Sequence, residues 1–270
     1  MSFLEIIGYL GALLIGLVMG LTGSGGSILS VPILAYLFKY DEKTATAYSL
    51  FIVGMTAIVG SWRIFKYGEI STRLIWYFGL PAIVGILLSR RVILPMLPEE
   101  LFHVFGYYVS RRMFIFGLFA AMMLLASYTM LHKTDLKLSD LDVKEDIPFH
   151  PLILTEGLFL GVVMGLVGAG GGFLMVPALM LIANLSIKKA VGTSLIIVCM
   201  NSLTGFFLGD FFFMEIDWSF LFRFVLLSFV GIILGGYLVK FIDSERLKKG
   251  FAYFILSMAL FIFVMEFVIH

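Results

Sequence analysis

The sequence predicts an all-α polytopic membrane protein built from two homologous repeats. Three observations predict this fold: 61% of the 270 residues are hydrophobic, charge-free stretches of membrane-spanning length recur along the chain, and one sequence pattern occurs twice. Charged residues make up 14% of the chain, whereas about 25% is usual for soluble proteins. A chain of this composition cannot cover its surface with polar groups in water.

Eight charge-free stretches mark the expected spans. A helix that crosses a membrane needs roughly 20 apolar residues, and the shorter stretches reach that length if basic side chains at their ends extend to the interface. The first and fifth stretches are too long for one span, and both contain a glycine cluster. The stretches are 6–38, 44–62, 74–89, 113–131, 157–187, 190–209, 224–239 and 250–265.

Each long stretch predicts a helix, a glycine break and a short half-helix. Pro32 and Pro177 follow the two glycine clusters, and proline is well tolerated in the first turn of a helix because its missing N–H would be unpaired there. We therefore expect half-helices near 31–40 and 176–185. Counting them, the chain has ten helices; without them it has eight spans, about four in each repeat.

The repeat is visible in ungapped alignments. Residues 16–34, GLVMGLTGSGGSILSVPIL, match residues 161–179, GVVMGLVGAGGGFLMVPAL, at 12 of 19 positions. At the same offset of 145, residues 43–60 lie on 188–205. Transporters are commonly built from such repeats, with the binding site between interrupted helices.

After this second block, one inserted residue places Glu69-Ile70 on Glu215-Ile216. The chain therefore divides into a first membrane repeat, a charged linker that ends in proline, and a second membrane repeat. These three parts cover residues 1–131, 132–150 and 151–270.

Two topologies fit these repeats. The repeats are parallel if each long stretch crosses the membrane once, and inverted if each crosses twice or re-enters. Both arrangements place twelve Lys and Arg residues on one side and six on the other, so the positive-inside rule does not separate them by totals. Equivalent loops carry matching numbers of basic residues, which favours parallel repeats. Both arrangements place the N- and C-termini outside the cell.

The glycine breaks predict a binding site for a small anion. Backbone polar groups at membrane depth are tolerated only when they are buried in protein or line a cavity. A glycine loop leaves N–H groups free, and the half-helix after it points its positive dipole end back at the loop. We expect neutral donors, rather than Lys or Arg, to hold the anion between the two breaks. The candidate substrate-binding residues are Thr22, Gly23, Ser24, Gly25, Gly26, Ser27, Ser49, Gly168, Gly170, Gly171, Gly172, Thr193, Ser194 and Asn201.

Other polar and small residues have simpler interpretations. Gly16 and Gly20, like Gly161 and Gly165, have the G-x-x-x-G spacing that lets helices approach closely. Asp210, Glu215 and Asp217 follow a span without a nearby Lys or Arg, and we interpret them as a solvated loop.

An enzyme is disfavoured. A serine protease would need Ser24, yet the second copy has Ala169 there, and all four histidines lie at span ends or in loops. We predict no catalytic residue, no cofactor, no bound metal and no nucleic-acid partner. The partners are a small anionic substrate and the lipid bilayer, and a homo-oligomer is compatible with the sequence. A non-transporting membrane scaffold or assembly protein is the alternative function.

At these motifs the sequence resembles the TauE/SafE sulfite exporter family of membrane permeases, over nearly the whole chain. The first copy departs at Tyr48, where the second has Thr193. The resemblance implies a multi-pass permease of the cell membrane for sulfite, organosulfonates or related anions, acting as a secondary transporter or facilitator. It rests on the doubled signature G-x-x-x-G-x-x-G-x-G-G at Gly16-Gly20-Gly23-Gly25-Gly26 and Gly161-Gly165-Gly168-Gly170-Gly171, on Pro32 and Pro177, and on KKAVGTS at 188–194.

Overall fold

The protein is a bundle of membrane-spanning helices. The computed structural model describes residues 3–23, 25–65, 70–104, 107–132, 151–168, 170, 172–182, 185, 187–242 and 244–269. Within these ranges, seven helical stretches are long and apolar enough to cross a membrane. The predicted all-α polytopic membrane fold is confirmed. The linker predicted over 132–150 lies outside the described residues except for His132.

The first half of the chain carries six α-helices, two π-helical segments and a β-hairpin. Its elements are α1 (Phe3–Thr22), α2 (Ser27–Pro32), π1 (Ile33–Leu37), α3 (Glu42–Phe65), α4 (Thr72–Leu88), π2 (Ser89–Ile93), α5 (Leu94–Met96), β1 (Glu100–Val104), β2 (Tyr107–Ser110) and α6 (Arg111–His132). The antiparallel hairpin lies between the third and fourth predicted spans, 74–89 and 113–131.

All regular elements among the described residues of the second half are helical. Its elements are α7 (Pro151–Val167), α8 (Gly172–Ile182), α9 (Ile187–Thr204), π3 (Gly205–Asp210), α10 (Trp218–Leu238), a 3₁₀ turn (Val239–Phe241), α11 (Ser244–Val264) and π4 (Met265–Ile269).

Both half-helices begin earlier than predicted. They start at Ser27 and Gly172, directly after the glycine turns, so Pro32 and Pro177 lie inside the short helices and not in their first turns. The physical reason is that the glycine turn itself reverses the chain. No further residues are needed before the helix can start.

The first long stretch folds back on itself. A Cβ added at Gly26 would lie 2.5 Å from the side chain of Met19, and one added at Gly8 would overlap the ring of Phe38. Residues later in α2 and π1 thus lie beside residues earlier in α1. The half-helix therefore runs antiparallel to α1 and returns toward the end of the bundle at which α1 begins.

Helices α1 and α10 run in the same direction. A Cβ added at Gly16 would overlap the carbonyl oxygen of Ser228, and one added at Gly20 would lie 2.5 Å from that of Ile232. Residues farther along α1 thus contact residues farther along α10. The backbones touch because glycine has no side chain, which confirms the packing interpretation of the G-x-x-x-G pair.

Helices α7 and α4 repeat this arrangement. A Cβ added at Gly161 would overlap the carbonyl oxygen of Ala82, and one added at Gly165 would lie 3.0 Å from that of Ile86. These four residues occupy the positions that match the α1 and α10 contacts at offsets of 145 and 146.

The remaining long helices pair in antiparallel fashion. Gly54 of α3 packs on Leu203 of α9, and Gly60 of α3 packs on Leu195, so contacts run in opposite directions along the two helices. Helices α6 and α11 are antiparallel as well, because Arg112 pairs with Glu266 near one end while Ser127 bonds to Ala252 farther along.

These contacts define two ends of the bundle. The termini end contains the starts of α1, α3, α6 and α10, and the linker end contains the starts of α4, α7, α9 and α11. Helix α1 runs from the termini end to the linker end, whereas its counterpart α7 runs the other way. The repeats are therefore inverted, and the preference for parallel repeats was wrong. In each repeat the half-helix folds back and adds one passage through the bundle. Each repeat therefore has an odd number of passages.

Candidate functional site

Both glycine clusters break the helix as predicted. Gly23 has a φ of +91°, and Gly168 and Gly170 have φ values of +72° and +60°. This left-handed region is open to glycine because it lacks a Cβ. Ser24, Ala169 and Gly171 lie outside the described residues.

The first glycine turn is tightly packed. A Cβ added at Gly25 would overlap the ring of Phe251, and one added at Gly26 would overlap the carbonyl oxygen of Ile15. The Thr22 hydroxyl donates to the Val18 carbonyl at 2.8 Å and accepts from the Gly25 N–H at 3.2 Å. The Thr22 hydroxyl and the Gly25 N–H are therefore already used within the protein.

The second glycine turn lies among polar side chains. A Cβ added at Gly168 would overlap Thr46 and would lie 2.7 Å from Nη2 of Arg90. A Cβ added at Gly170 would overlap the hydroxyl of Ser202. We call Thr46, Arg90, Gly168, Gly170 and Ser202 the Arg90 site.

Arg90 is the electrostatic centre of this site. Its side chain is 0% exposed, and its Nη1 donates to the Thr46 hydroxyl at 3.1 Å and lies 3.3 Å from Oδ2 of Asp210. Nε and Nη2 of Arg90 have no hydrogen-bond partner among the described residues. A buried charge is stable only when it is paired and hydrogen-bonded, so half of this guanidinium is available for a ligand.

Asp210 closes one side of Arg90. Its side chain is 13% exposed, so the interpretation of Asp210 as part of a solvated loop is wrong. It meets Arg90 because π3, which directly follows α9, packs against π2.

Arg90 and Asp210 both lie on π-helical segments, π2 and π3. Such segments are rare and frequently occur at functional sites. All four described π segments lie at the termini end, since π1 and π4 lead into that end as well. The matching stretches at the linker end, in α3 and α10, remain regular α-helix.

Further unpaired polar groups lie on the elements that carry the site. Both polar atoms of the Asn201 amide are buried without a hydrogen-bond partner among the described residues, and so are the hydroxyls of Ser202 and Ser89. Asn201 and Ser202 are adjacent on α9, and Ser89 precedes Arg90. Buried polar groups are nearly always paired in folded proteins, so this concentration favours a ligand site.

Other arginines at the termini end are paired instead. Nη2 of Arg111 donates to Glu42 at 2.7 Å. Nε of Arg112 donates at 2.8 Å to Glu266, which also accepts from the Tyr36 hydroxyl at 3.1 Å. These pairs join α6 to α3, π1 and π4. Among the buried arginines described, Arg90 is therefore the exception, because two of its nitrogens have no hydrogen-bond partner.

Several predicted site residues serve the fold. The Ser49 hydroxyl lies 2.5 Å from that of Ser30, and Ser194 donates to the Val191 carbonyl at 2.9 Å. The Thr193 hydroxyl accepts from the N–H of Ser71 at 3.0 Å. Ser27 is fully buried at the start of α2, and Gly172 opens α8.

The two turns lie toward opposite ends of the bundle. Gly23 contacts Val191, the fifth residue of α9 from the linker end, whereas Gly168 contacts Thr46, the fifth residue of α3 from the termini end. The structure therefore separates the two turns along the bundle, whereas the sequence predicts one site between them. Inversion of the repeats separates turns that parallel repeats would bring to the same depth.

Sequence reasoning missed Arg90 and Asp210. Each stands at the edge of a charge-free stretch, 74–89 and 190–209, where a charged side chain usually extends to the interface. The pair Arg90-Arg91 carries a weak signal. Neighbouring side chains on a helix point in different directions, so both arginines could not reach water equally and one of them was a candidate for burial. Arg91 is exposed, and its Nε donates to the Leu208 carbonyl at 2.6 Å.

Comparisons with known proteins agree with this architecture. A "probable membrane transporter protein" of Methanocaldococcus jannaschii is 36% identical over 117 residues, which cover 41% of this chain and 43% of that protein. The probable membrane transporter protein YdhB of Bacillus subtilis is 25% identical, over 71% of this chain and 73% of its own length. One from Xylella fastidiosa is 26% identical over 92% of this chain and 91% of its own.

No solved structure shows a significant match. Residues 9–262 match the family described as "Sulfite exporter TauE/SafE", which is nearly the whole chain. The match covers both glycine turns, the inverted helix pairs and the Arg90 site. The chain therefore belongs to the TauE/SafE sulfite exporter family of membrane transporters.

Proposed function

We propose that the protein is a secondary permease or facilitator for a small oxyanion, and that the anion binds at the Arg90 site. The observation that carries this proposal is the fully buried guanidinium whose Nε and Nη2 have no partner among the described residues. These two nitrogens form the edge of arginine that binds two oxygens of one anion side by side.

The family name suggests the chemical class of the substrate. Sulfite and organosulfonates present two oxygens on one sulfur, which suits the Nε–Nη2 edge of Arg90. The hydroxyl of Ser202 is a neighbouring donor, and Asn201 is an unpaired amide on the same helix. We infer that sulfite or an organosulfonate is the substrate.

This proposal replaces the expectation that neutral donors alone hold the anion. A hydrogen bond to a charged group contributes about 1.5–3 kcal/mol, against roughly 0.5–1.5 for a neutral pair. The first glycine turn offers no charged donor among its described neighbours, which are apolar apart from Thr22. We therefore assign binding to the second turn and a packing role to the first.

We further propose that the linker end faces the cytoplasm of the cell. Twelve of the 19 Lys and Arg residues fall, by sequence, beside or between helix ends at the linker end. Cytoplasmic loops carry an excess of these residues. Both termini, the β-hairpin and the nearer side of the Arg90 site then face the outside.

Ligand-dependent stabilisation of the purified protein in detergent tests the proposed site. The probes are sulfite, thiosulfate, taurine and methanesulfonate, with chloride as a single-atom anion. The wild type should be stabilised by at least one sulfur oxyanion and not by chloride. The same anion, loaded inside proteoliposomes, should drive counterflow of its labelled form.

The decisive variant changes both charged partners, Arg90→Gln with Asp210→Asn. Removing both members of a buried pair is far less destabilising than removing one, so the protein should fold and lose ligand stabilisation. Arg223→Gln removes an exposed arginine from α10 and is the matched control. Undiminished stabilisation of the double variant by the same anion would disprove binding at Arg90.

A further inference from the structure

We propose that one proton travels with each anion and that the carboxylate of Asp210 accepts it. This inference rests on the proposed function, because it concerns the charge of the Arg90 site when an anion is bound. It assigns to Asp210 a role that neither the fold nor the family match requires.

Without an anion, the Arg90 site holds one buried ion pair. Arg90 carries one positive charge and Asp210 one negative charge, and their side chains are 0% and 13% exposed. The two charges cancel, with Nη1 of Arg90 lying 3.3 Å from Oδ2 of Asp210. The pair is therefore neutral as a unit while no ligand is present.

An anion on the opposite edge of Arg90 disturbs this balance. It would contact Nε and Nη2, which are free, without displacing Asp210 from Nη1. The buried group would then hold two negative charges and one positive charge. An uncompensated charge is strongly unfavourable in a low-dielectric interior, so the loaded site needs one more positive charge.

Only the carboxylate of this pair can take up that charge. The guanidinium of Arg90 is already protonated and stays so. Oδ2 of Asp210 makes no hydrogen bond within the described residues, which leaves an oxygen able to hold a proton. Protonated Asp210 would keep its contact with Arg90 through a neutral oxygen.

No second base is better placed among the described neighbours of π3. The elements packed against π3 are α3, α4, α9 and π2. Arg91 is occupied by the Leu208 carbonyl, and the Tyr48 hydroxyl by the N–H of Asp217. These elements and the adjoining loop carry several charged or titratable residues. They are Glu42, Lys43, Tyr48 and Arg63 of α3, Arg73 and Tyr77 of α4, Lys188, Lys189 and Cys199 of α9, Arg90 and Arg91 of π2, and Glu215 and Asp217 of the loop.

A proton can reach the carboxylate of Asp210 because this side chain is partly exposed. Asp210 is the last residue of its candidate span and 13% of its side chain is exposed, so its carboxylate can exchange protons with water at the termini end. Anion and proton bind there together, and both leave at the linker end after the bundle changes conformation. Because binding linkage is reciprocal, the anion raises proton binding by the same factor as the proton raises anion binding.

Proteoliposomes with purified protein test this proposal, with labelled methanesulfonate as the probe. A sulfonate stays ionised across the working pH range, so any proton that moves with it is carried by the protein. An inward proton gradient of about one pH unit should concentrate the anion inside about tenfold, as expected for strict one-to-one coupling. A pH dye inside the vesicles should report one proton for each anion.

Asp210→Asn separates coupling from binding. The amide keeps an oxygen for Arg90 and cannot accept the proton. This variant should still exchange labelled for unlabelled anion, but the proton gradient should no longer concentrate the anion. Asp210→Glu should restore accumulation at least partly. Glu215→Gln changes an exposed carboxylate five residues away and should behave like the wild type.

The outcomes are distinct. Gradient-driven accumulation by Asp210→Asn would overturn the assignment to Asp210, and anion exchange without accumulation by the wild type would overturn coupling while leaving the proposed function intact. If the wild type neither binds nor exchanges any of the sulfur oxyanions, the proposed function and this inference fail together. Should Asp210→Asn not fold, accumulation by the wild type and by Asp210→Glu is compared over external pH. Identical pH profiles of accumulation for the two proteins would then reject the assignment of the proton to Asp210.

Discussion

Tyr48 and Asp217 are joined by a hydrogen bond in which the N–H of Asp217 donates to the tyrosine hydroxyl at 2.7 Å. In the other repeat, the N–H of Ser71 donates to the hydroxyl of Thr193 at 3.0 Å. Tyr48 and Thr193 are equivalent positions, as are Ser71 and Asp217. Two chemically different residues thus support the start of the same helix in each repeat.

This relationship predicts that Thr193→Val and Tyr48→Phe reduce stability without weakening anion binding. Each leaves a part-buried backbone N–H without its hydroxyl partner, which costs about 0.5–1.5 kcal/mol, the net contribution of one hydrogen bond. Thermal unfolding in detergent should show a lower Tm for both variants, with equal ligand affinity. A Thr193→Val variant of normal Tm and lost affinity would return Thr193 to the binding site.

Asn201→Leu should raise stability and weaken anion binding. The Asn201 amide is fully buried and its polar atoms have no partner among the described residues, so an apolar side chain of similar size removes a desolvation penalty of about 1–3 kcal/mol. Tm should rise while affinity for the sulfur oxyanion falls. A lower Tm with unchanged affinity would mean that Asn201 supports the fold instead.

Arg90→Lys tests the geometry of recognition separately from charge. Lysine keeps the positive charge but not the planar pair of donors. Loss of one charge-assisted hydrogen bond of about 1.5–3 kcal/mol lowers affinity by roughly 10- to 150-fold. Calorimetric titration with the oxyanion that stabilises the wild type measures this change. Wild-type affinity in Arg90→Lys would show that the anion is held by charge alone.

Inverted repeats place the β-hairpin and the start of α11 on opposite sides of the membrane. In a Cys199→Ala background, single cysteines at Glu100 and Glu245 occupy exposed positions at these two places. Glu100→Cys should react with a membrane-impermeant maleimide from outside, and Glu245→Cys only after permeabilisation. Parallel repeats would place both on one side, so equal labelling of both from outside would contradict the fold.

The parallel packing of α1 on α10 depends on the absence of a side chain at Gly16. Gly16→Val would drive a side chain into the backbone of Ser228, so the two helices must separate. Folded yield and Tm should fall sharply. Gly250→Ala is the control, because nothing lies within 4 Å of its added Cβ and a helical Gly to Ala change contributes up to about 1 kcal/mol. Equal stability of both variants would argue against this interface.

The sequence was most informative where the backbone is locally determined. Clustered glycines at 23–26 and 168–172 predicted both breaks, because few other residues adopt positive φ. The direction of the repeats could not be predicted, since both topologies give the same twelve-to-six division of basic residues. Arg90 and Asp210 are 120 positions apart, and only packing between the two halves brings them together.

The contrast between π3 and α3 has an evolutionary consequence. The second repeat holds one residue more than the first between Gly205 and Glu215, and π3 occupies Gly205–Asp210 within that interval. A single-codon insertion in a helix is absorbed by the wider π turn, and every later side chain on the helix turns to a new direction. Of the two repeats, only the second therefore places a carboxylate against Arg90. Among members of the family, we expect the extra residue in that helix to occur together with an acidic side chain at the position of Asp210.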